Sequence, residues 1–346
     1  MKTRPIAALA PVAVLPLGLL LAACGTTEAD ADDKPAPKAA DSAECSADET
    51  TTSTGPVKLT DSYGRTVELD KPAERVAVLE WQQVEDVLSL CVAPVAVADA
   101  EGYTTWDTAE KLPEGVTDVG TRGEPNLETL FGTDPDLVIV EAYTPDDEIL
   151  KQLAKYDVPV LATKGADAAD PVANMIDTFE LIAKATGREE RAKAVVDGFE
   201  AHLAEAREKV AAADAGKGAG KFVYFDGWVQ GGNVSIRPFG QGSLMGELGE
   251  QLGLENAWTG EVDPAYGLGQ TDIEGMSELG DATFFHTGTV DPEGDVNAAL
   301  AENAVWQKIP AVAEGRTHAF PAGIWTFGGP RSAEQVIDAY VDLLAQ

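Results

Sequence analysis

The sequence predicts an α/β protein with mostly parallel sheets flanked by helices. Three observations carry this. Short, nearly continuous apolar runs at residues 94–98, 137–140 and 158–162 suit strands covered on both faces. Segments with helical apolar spacing alternate with them, the grammar of a parallel sheet. A chain of 346 residues with 44% hydrophobic content can also fill the cores of two domains.

The chain starts as a bacterial export signal. Lys2 and Arg4 supply the positive end, residues 6–21 an apolar core, and small residues follow. Leu21-Ala22-Ala23-Cys24 is similar to a lipobox, which implies removal of residues 1–23 and a lipid on Cys24. An uncleaved membrane anchor fits less well with Pro11, Pro16 and so short a core. Residues 24–55 hold almost no large apolar side chains, so a disordered tether is expected. A flexible coil of about 30 residues reaches ~30 Å.

From Val57 the composition is globular, and residues 56–187 read as a first α/β lobe. Residues 57–69 alternate around Gly64 as a hairpin. Residues 75–79 form a strand, and Val84, Val87, Leu88 and Cys91 mark a helical face. The run 116–119 leads into Gly120-Thr121-Arg122-Gly123-Glu124-Pro125-Asn126-Leu127-Glu128. Asn126 is a natural N-cap, Glu128 suits the first turn, and Pro125 keeps Glu124 out of helical geometry. Arg122 therefore projects from a strand-to-helix loop, at the sheet edge where open α/β folds bind ligands. Residues 147–156 read as a helix.

Residues 188–213 have helical spacing at Ala192, Val195, Val196, Phe199, Leu203, Ala206 and Val210. Such a helix is ~37 Å long; it either packs on one domain or links two. Gly216, Gly218 and Gly220 end it. Residues 214–346 repeat the grammar less regularly, with strands at 222–225, 283–286 and 317–320. A hairpin turns at Gly231-Gly232-Asn233, and helices are expected at 242–253, 272–279, 297–308 and 332–344.

Composition and motifs narrow the chemistry. A formal charge of −34 leaves no basic stripe for nucleic acid. His202, His286 and His318 show no ligand spacing, and no cysteine pair forms a zinc pattern, so no protein-held metal or cofactor is expected. Ser243 lies outside any nucleophile elbow and reads as a helix cap; no phosphate loop exists. What remains is a set of aromatics in loops beside strand ends: Trp106, Tyr143, Trp228, Tyr266 and Trp325. Singly each suits packing; together they suit a mostly apolar cleft. Arg237 and Arg331 add positive groups near strand and helix ends. After loss of Cys24, Cys45 and Cys91 remain as an even pair, either bridged or free.

The chain from about Arg75 onward resembles the binding proteins of ABC importers for ferric siderophores, in the ferric-hydroxamate and iron-dicitrate branch. The pieces are Arg75-Val-Ala-Val-Leu-Glu-Trp81, Pro94-Val-Ala-Val-Ala-Asp99, the Gly120 to Glu128 stretch, and Trp325-Thr-Phe-Gly-Gly-Pro330. The resemblance implies two lobes joined by the 188–213 helix, with a ligand between them and no enzymatic activity. It gives Arg122 and Tyr143 the task of donating to the oxygens around chelated iron. Trp106, Trp325 and Tyr266 take aromatic places at the pocket, although Tyr266 stands where tryptophan is usual. It also puts Glu128 and Glu274 on the two lobe tops as docking groups for a permease dimer with its ATPase. Implied with these are a monomer, anchored on the outer face of the cell membrane by lipid alone. Ferric dicitrate, a catecholate, haem or cobalamin are alternative ligands. A surface enzyme on the same fold and a ligand-free structural lipoprotein are the readings from other classes.

Overall fold

The computed structural model describes residues 42–213, 220–231, 233–288 and 296–345. The expected export signal, Cys24 and the first part of the tether lie outside them, as do Gly216, Gly218 and Gly232.

The end of the expected tether is a correction. Residues 42–55 are fastened to the body. The turn α1 (Ala43–Ser46) is capped by Ser42, and Cys45 is bridged to Cys91 with the Cα atoms 5.3 Å apart. Arg188 donates to Asp48 and, at 2.7 Å, to Thr52 Oγ1. Arg191 donates to Glu44 at 2.9 Å. Composition correctly reports a lack of apolar surface here. A covalent bridge and charge-assisted hydrogen bonds hold the segment without it.

The hairpin of β1 (Val57–Thr60) and β2 (Thr66–Leu69) follows, with Gly64 in the left-handed region of its turn. A parallel sheet comes next, built from β3 (Val76–Val78), β4 (Ala96–Val97), β5 (Thr117–Asp118), β6 (Leu137–Ala142) and β7 (Val160–Lys164). The spatial order is β5-β4-β3-β6-β7. The order reverses between β3 and β6, so the crevice beyond their carboxyl ends is the topological switch point. Connecting helices are α2 (Trp81–Ser89), α3 (Ala100–Trp106), α4 (Leu127–Phe131) and α5 (Glu148–Leu153). Trp106 thus ends a helix rather than standing in a loop.

Two helices then run back to back. α6 (Pro171–Thr186) has Asp170 as its N-cap, Pro171 in its first turn and Gly187 at its end with φ 70°. Sequence spacing does not single it out. α7 (Glu189–Ala213) is the expected long helix. Ala192 and Val195 of α7 pack with Val76 and Leu137 of the first sheet, whereas Phe199, Ala206 and Val210 pack with Phe222, Phe285 and Tyr340 beyond it. α6 does the same in reverse, through Phe179 and Ile182 and then Val172 and Met175.

The second sheet holds β8 (Lys221–Gln230), β9 (Asn233–Phe239), β10 (Glu255–Asn256), β11 (Thr283–His286) and β12 (Thr317–Ala319). β10-β8-β11-β12 are parallel, and β9 returns antiparallel on β8. Its helices are α8 (Leu244–Gln251), α9 (Ile273–Ser277), α10 (Val296–Glu302), α11 (Pro310–Ala313) and α12 (Pro330–Leu344). Ser243 caps α8 as expected. The single helix expected over 297–308 is split into α10 and a 3-10 turn, Trp306–Lys308. Asn303 causes the break by accepting from the Val305 and Trp306 N–H groups, a local alternative to the helical bond.

α12 begins against α2. The Glu85 carboxylate accepts from the N–H groups of Gly329, Arg331 and Ser332, each at 3.0 Å. It therefore satisfies helix-end donors as a cap supplied from another element. This approach requires the Gly328-Gly329 pair: a Cβ on Gly329 would lie 2.3 Å from Asp86 Oδ1.

Candidate functional site

The site forms at the switch point. Glu80 follows β3 in extended conformation and caps α2, its carboxylate accepting from the Trp81 N–H at 2.9 Å. The next residue, Trp81, is buried and donates its indole N–H to the Asp99 carbonyl at 3.2 Å. Arg122 arrives from the loop after β5. Gly120 there takes φ 90°, and Asn126 caps α4 by accepting from the Thr129 N–H. The guanidinium lies 3.7 Å from the Trp81 ring centre and 5.5 Å from that of Trp325. It also pairs with Glu80. Stacking and pairing together fix the arginine in one pose.

Opposite, the second sheet contributes an aromatic wall. Asp263 accepts from the N–H groups of Ala265, Tyr266 and Leu268, which shapes the loop bearing Tyr266. The Tyr266 hydroxyl donates to Glu141 Oε1 at 2.6 Å, joining the end of β6 to that loop. Phe327 stands edge-on to Tyr266 at 5.5 Å and to Trp325 at 5.3 Å. Tyr143, 73% exposed, has its ring 6.3 Å from that of Tyr266. Arg237 on β9 faces Asp226 on β8 in register and donates to it through two nitrogens.

These side chains enclose a cavity of about 420 Å³, lined by Arg122, Tyr143, Arg237, Tyr266, Trp325 and Phe327 with Glu80, Glu141 and Leu268. A second space of about 620 Å³ lies over the first sheet and shares Glu80, Arg122, Glu141 and Tyr143 with it. The two form one cleft of small-molecule size. Burial, and then the neighbouring Glu80, push the Glu141 carboxyl up to about 7 against the opposing pull of Tyr266 and Arg122. Burial and Glu141 also raise Tyr266 and Tyr143, keeping both as neutral hydrogen-bond donors.

Five of the expected residues, Arg122, Tyr143, Tyr266, Trp325 and Arg237, meet in this cleft. Three do not. Trp106 packs beside the core of the first sheet. Trp228 lies opposite Ser235 in the β8–β9 hairpin, 41% exposed. Arg331 is held by Glu44 and Glu334, at the start of α12. Sequence reasoning in turn misses Glu80, Trp81, Glu141, Asp226 and Phe327. Glu80, Trp81 and Phe327 lie inside motifs already singled out, and Glu141 directly follows an apolar strand run, a place where a charge is seldom solvated. Glu128 and Glu274 both sit exposed in the first turns of short helices, α4 and α9. Among the described residues no group of His, Cys, Asp and Glu is arranged to hold a metal ion, and no helix is long and apolar enough to cross a membrane.

The family model for periplasmic binding proteins matches residues 76–322. The chain belongs to this family. Among its relatives, the iron(3+)-hydroxamate-binding protein FhuD of Escherichia coli is 29% identical over 263 residues, covering 75% of this chain and 83% of that one. The Fe(3+)-citrate-binding protein YfmC of Bacillus subtilis is 28% identical, over 79% of this chain and 81% of its own. The structure of FhuD from Vibrio cholerae bound to Fe3+-Desferal superposes with a TM-score of 0.67 at 25% identity, covering 79% of this chain and 98% of that one. The fold of these binding proteins is two-lobed, and here the cleft lies between the two sheets. The family and these relatives are binding proteins rather than enzymes.

Proposed function

We propose that this protein captures a ferric siderophore of hydroxamate type outside the cytoplasm and delivers it to an ABC importer. The carrying observation is Arg122, stacked on Trp81 and facing Tyr143 and Tyr266 across a cavity of about 420 Å³. A hexadentate chelator already satisfies iron, so the protein supplies no metal ligands. It recognises the chelate's outer surface. Arg122 and the Tyr143 hydroxyl donate to oxygens that carry partial negative charge, and the aromatic wall, Tyr266 included, covers the chelator's carbon backbone. The relatedness to FhuD supports hydroxamates. Citrate, the ligand named for YfmC, fits less well, because both arginines of the cleft already hold carboxylates.

The remaining parts of the reading concern attachment and delivery. Cys24 carries the lipid that anchors a monomeric body, residues 56–187 and 214–346 act as the two lobes, and Glu128 and Glu274 meet the permease dimer. The deciding experiment is a titration of apo-protein with a panel of ferric siderophores, followed by tryptophan fluorescence, since Trp325 lines the cavity and Trp81 stacks beneath Arg122. Saturable quenching at one equivalent by ferric hydroxamates is expected. Quenching by citrate or catecholate complexes but not by hydroxamates would overturn the choice of class.

A further inference from the structure

The positive groups of the cleft are already neutralised. Arg122 is paired with Glu80, and Arg237 with Asp226. Glu141 stands apart from these pairs. Its carboxyl is held by the neutral Tyr266 hydroxyl, and Arg122, though near enough to favour its ionised form, is engaged by Glu80. The space over the first sheet is more one-sided still. Glu80, Asp99, Glu141, Asp147 and Glu148 line it against the single guanidinium of Arg122. Asp147 is held in its ionised form by hydrogen bonds from the Thr144 hydroxyl and the Tyr143 N–H.

A ferric hydroxamate brings its own charge balance to this surface. Three singly charged hydroxamates neutralise the ferric ion, so the net charge of the complex is set by whatever hangs from the chelator. Ferric dicitrate, in contrast, is net negative. We infer that the cleft selects ferric chelates bearing a positively charged pendant group, a protonated amine, and that Glu141 is the residue that determines this choice. The chelate oxygens face Arg122 and the tyrosines, while the pendant ammonium is received beside Glu141 and the carboxyls of the first sheet. An ammonium–carboxylate hydrogen bond in a partly desolvated cleft is of the stronger, charge-assisted kind, and a like-charged pendant there is repelled. This inference rests on the siderophore-binding reading above.

The test compares two probes that differ in one charge: the ferric complex of desferrioxamine B, which ends in an ammonium, and its N-acetylated form, which is neutral. Both are titrated into the wild-type protein and Glu141→Gln at pH 8 by isothermal calorimetry. The Gln amide oxygen still accepts from Tyr266, so the loop is retained. The wild type is expected to bind the ammonium form about tenfold more tightly, and Glu141→Gln to bring the two within about threefold by weakening that form more than the neutral one. Equal wild-type affinities would overturn the charge selection and leave the hydroxamate reading standing. A preference that persists in Glu141→Gln would remove Glu141 from the role. Binding of neither probe, with ferric dicitrate bound instead, would sink both.

Discussion

Glu85 grips Ser332 twice, accepting from its backbone N–H at 3.0 Å and from its hydroxyl at 2.6 Å. This joins α2, beside the first sheet, to α12, which packs with the second. Replacing Glu85 by Ala strands several buried donors, each costing about 1–3 kcal/mol. We expect Glu85→Ala to lose at least ~3 kcal/mol in urea unfolding, and Glu85→Gln, which keeps an acceptor, to lose clearly less. Equal losses would show that the hydrogen bonds to α12 are not what matters.

The same region sets a pH dependence. Asp86 and Asp107 are buried with Glu85, and both oxygens of Asp86 lack hydrogen-bond partners. Burial, reinforced by Glu85, raises both aspartates well above the usual carboxylate range. A carboxyl raised in the folded state contributes stability that is present below its unfolded value and lost as pH rises through the folded one. The protein should therefore unfold at a lower temperature at pH 8 than at pH 5.5, and Asp86→Asn should narrow that gap. A melting temperature that climbs from pH 5.5 to 8 in the wild type would contradict this.

Arg122→Ala should weaken ferric hydroxamate binding roughly ten- to a hundredfold, with folding retained. The measurement is fluorescence titration beside a thermal melt. Unchanged affinity with an intact fold would take Arg122 out of the site.

Burial and the neighbouring Glu80 push the Glu141 carboxyl up to about 7, opposed by Tyr266 from the second lobe and by Arg122 and Gln83 from the first, with Tyr143 beyond its strand also near it. Above about 7 it is an anion. Affinity for an ammonium-bearing chelate should then rise between pH 6 and 8, since the ligand's own charge is constant there. In Glu141→Gln the profile should be flat, and calorimetry at the two pH values decides.

Legibility in the sequence followed the physics of each element. The strands expected at 137–140 and 158–162 and the caps Asn126 and Ser243 each announce themselves through one local rule; the caps and β6 stand where that rule puts them, and β7 lies two residues further on. α2 is different. Gln82, Gln83, Glu85, Asp86 and Ser89 look like a solvated face, yet all are buried, because elements distant in sequence close over them: the start of α12, some 240 residues on, meets Glu85 and Asp86, and Glu110 meets Ser89. The cleft's carboxyls are partly hidden for the same reason. The position of Glu141 at the end of a buried strand run and of Glu80 inside a motif marks them, but only the approach of Tyr266 and Arg122 makes them part of a site.

Docking is the remaining prediction. Glu128→Ala combined with Glu274→Ala should leave siderophore affinity unchanged and severely reduce iron uptake in cells, because exposed charges set encounter and register more than ligand binding. Normal uptake at matched protein levels would remove both residues from the permease contact.

α6 and α7 each place one half in the core of one lobe and the other half in the core of its neighbour, and the Glu85 cap adds a third brace. Struts of this kind resist a wide hinge: to swing the lobes apart, Met175 and Phe199 would have to leave one packed interior or Phe179 and Val195 the other. Dense interiors give way in steps rather than by smooth bending. The ligand therefore enters a bracket whose span is already set, and little of its binding energy is diverted into moving the walls. On the docking reading proposed above, an importer would then meet nearly the same spacing of Glu128 and Glu274 whether the bracket is empty or full. Loaded and unloaded forms should compete for the same docking surface, and the concentration of ligand outside would govern traffic through occupancy rather than through shape.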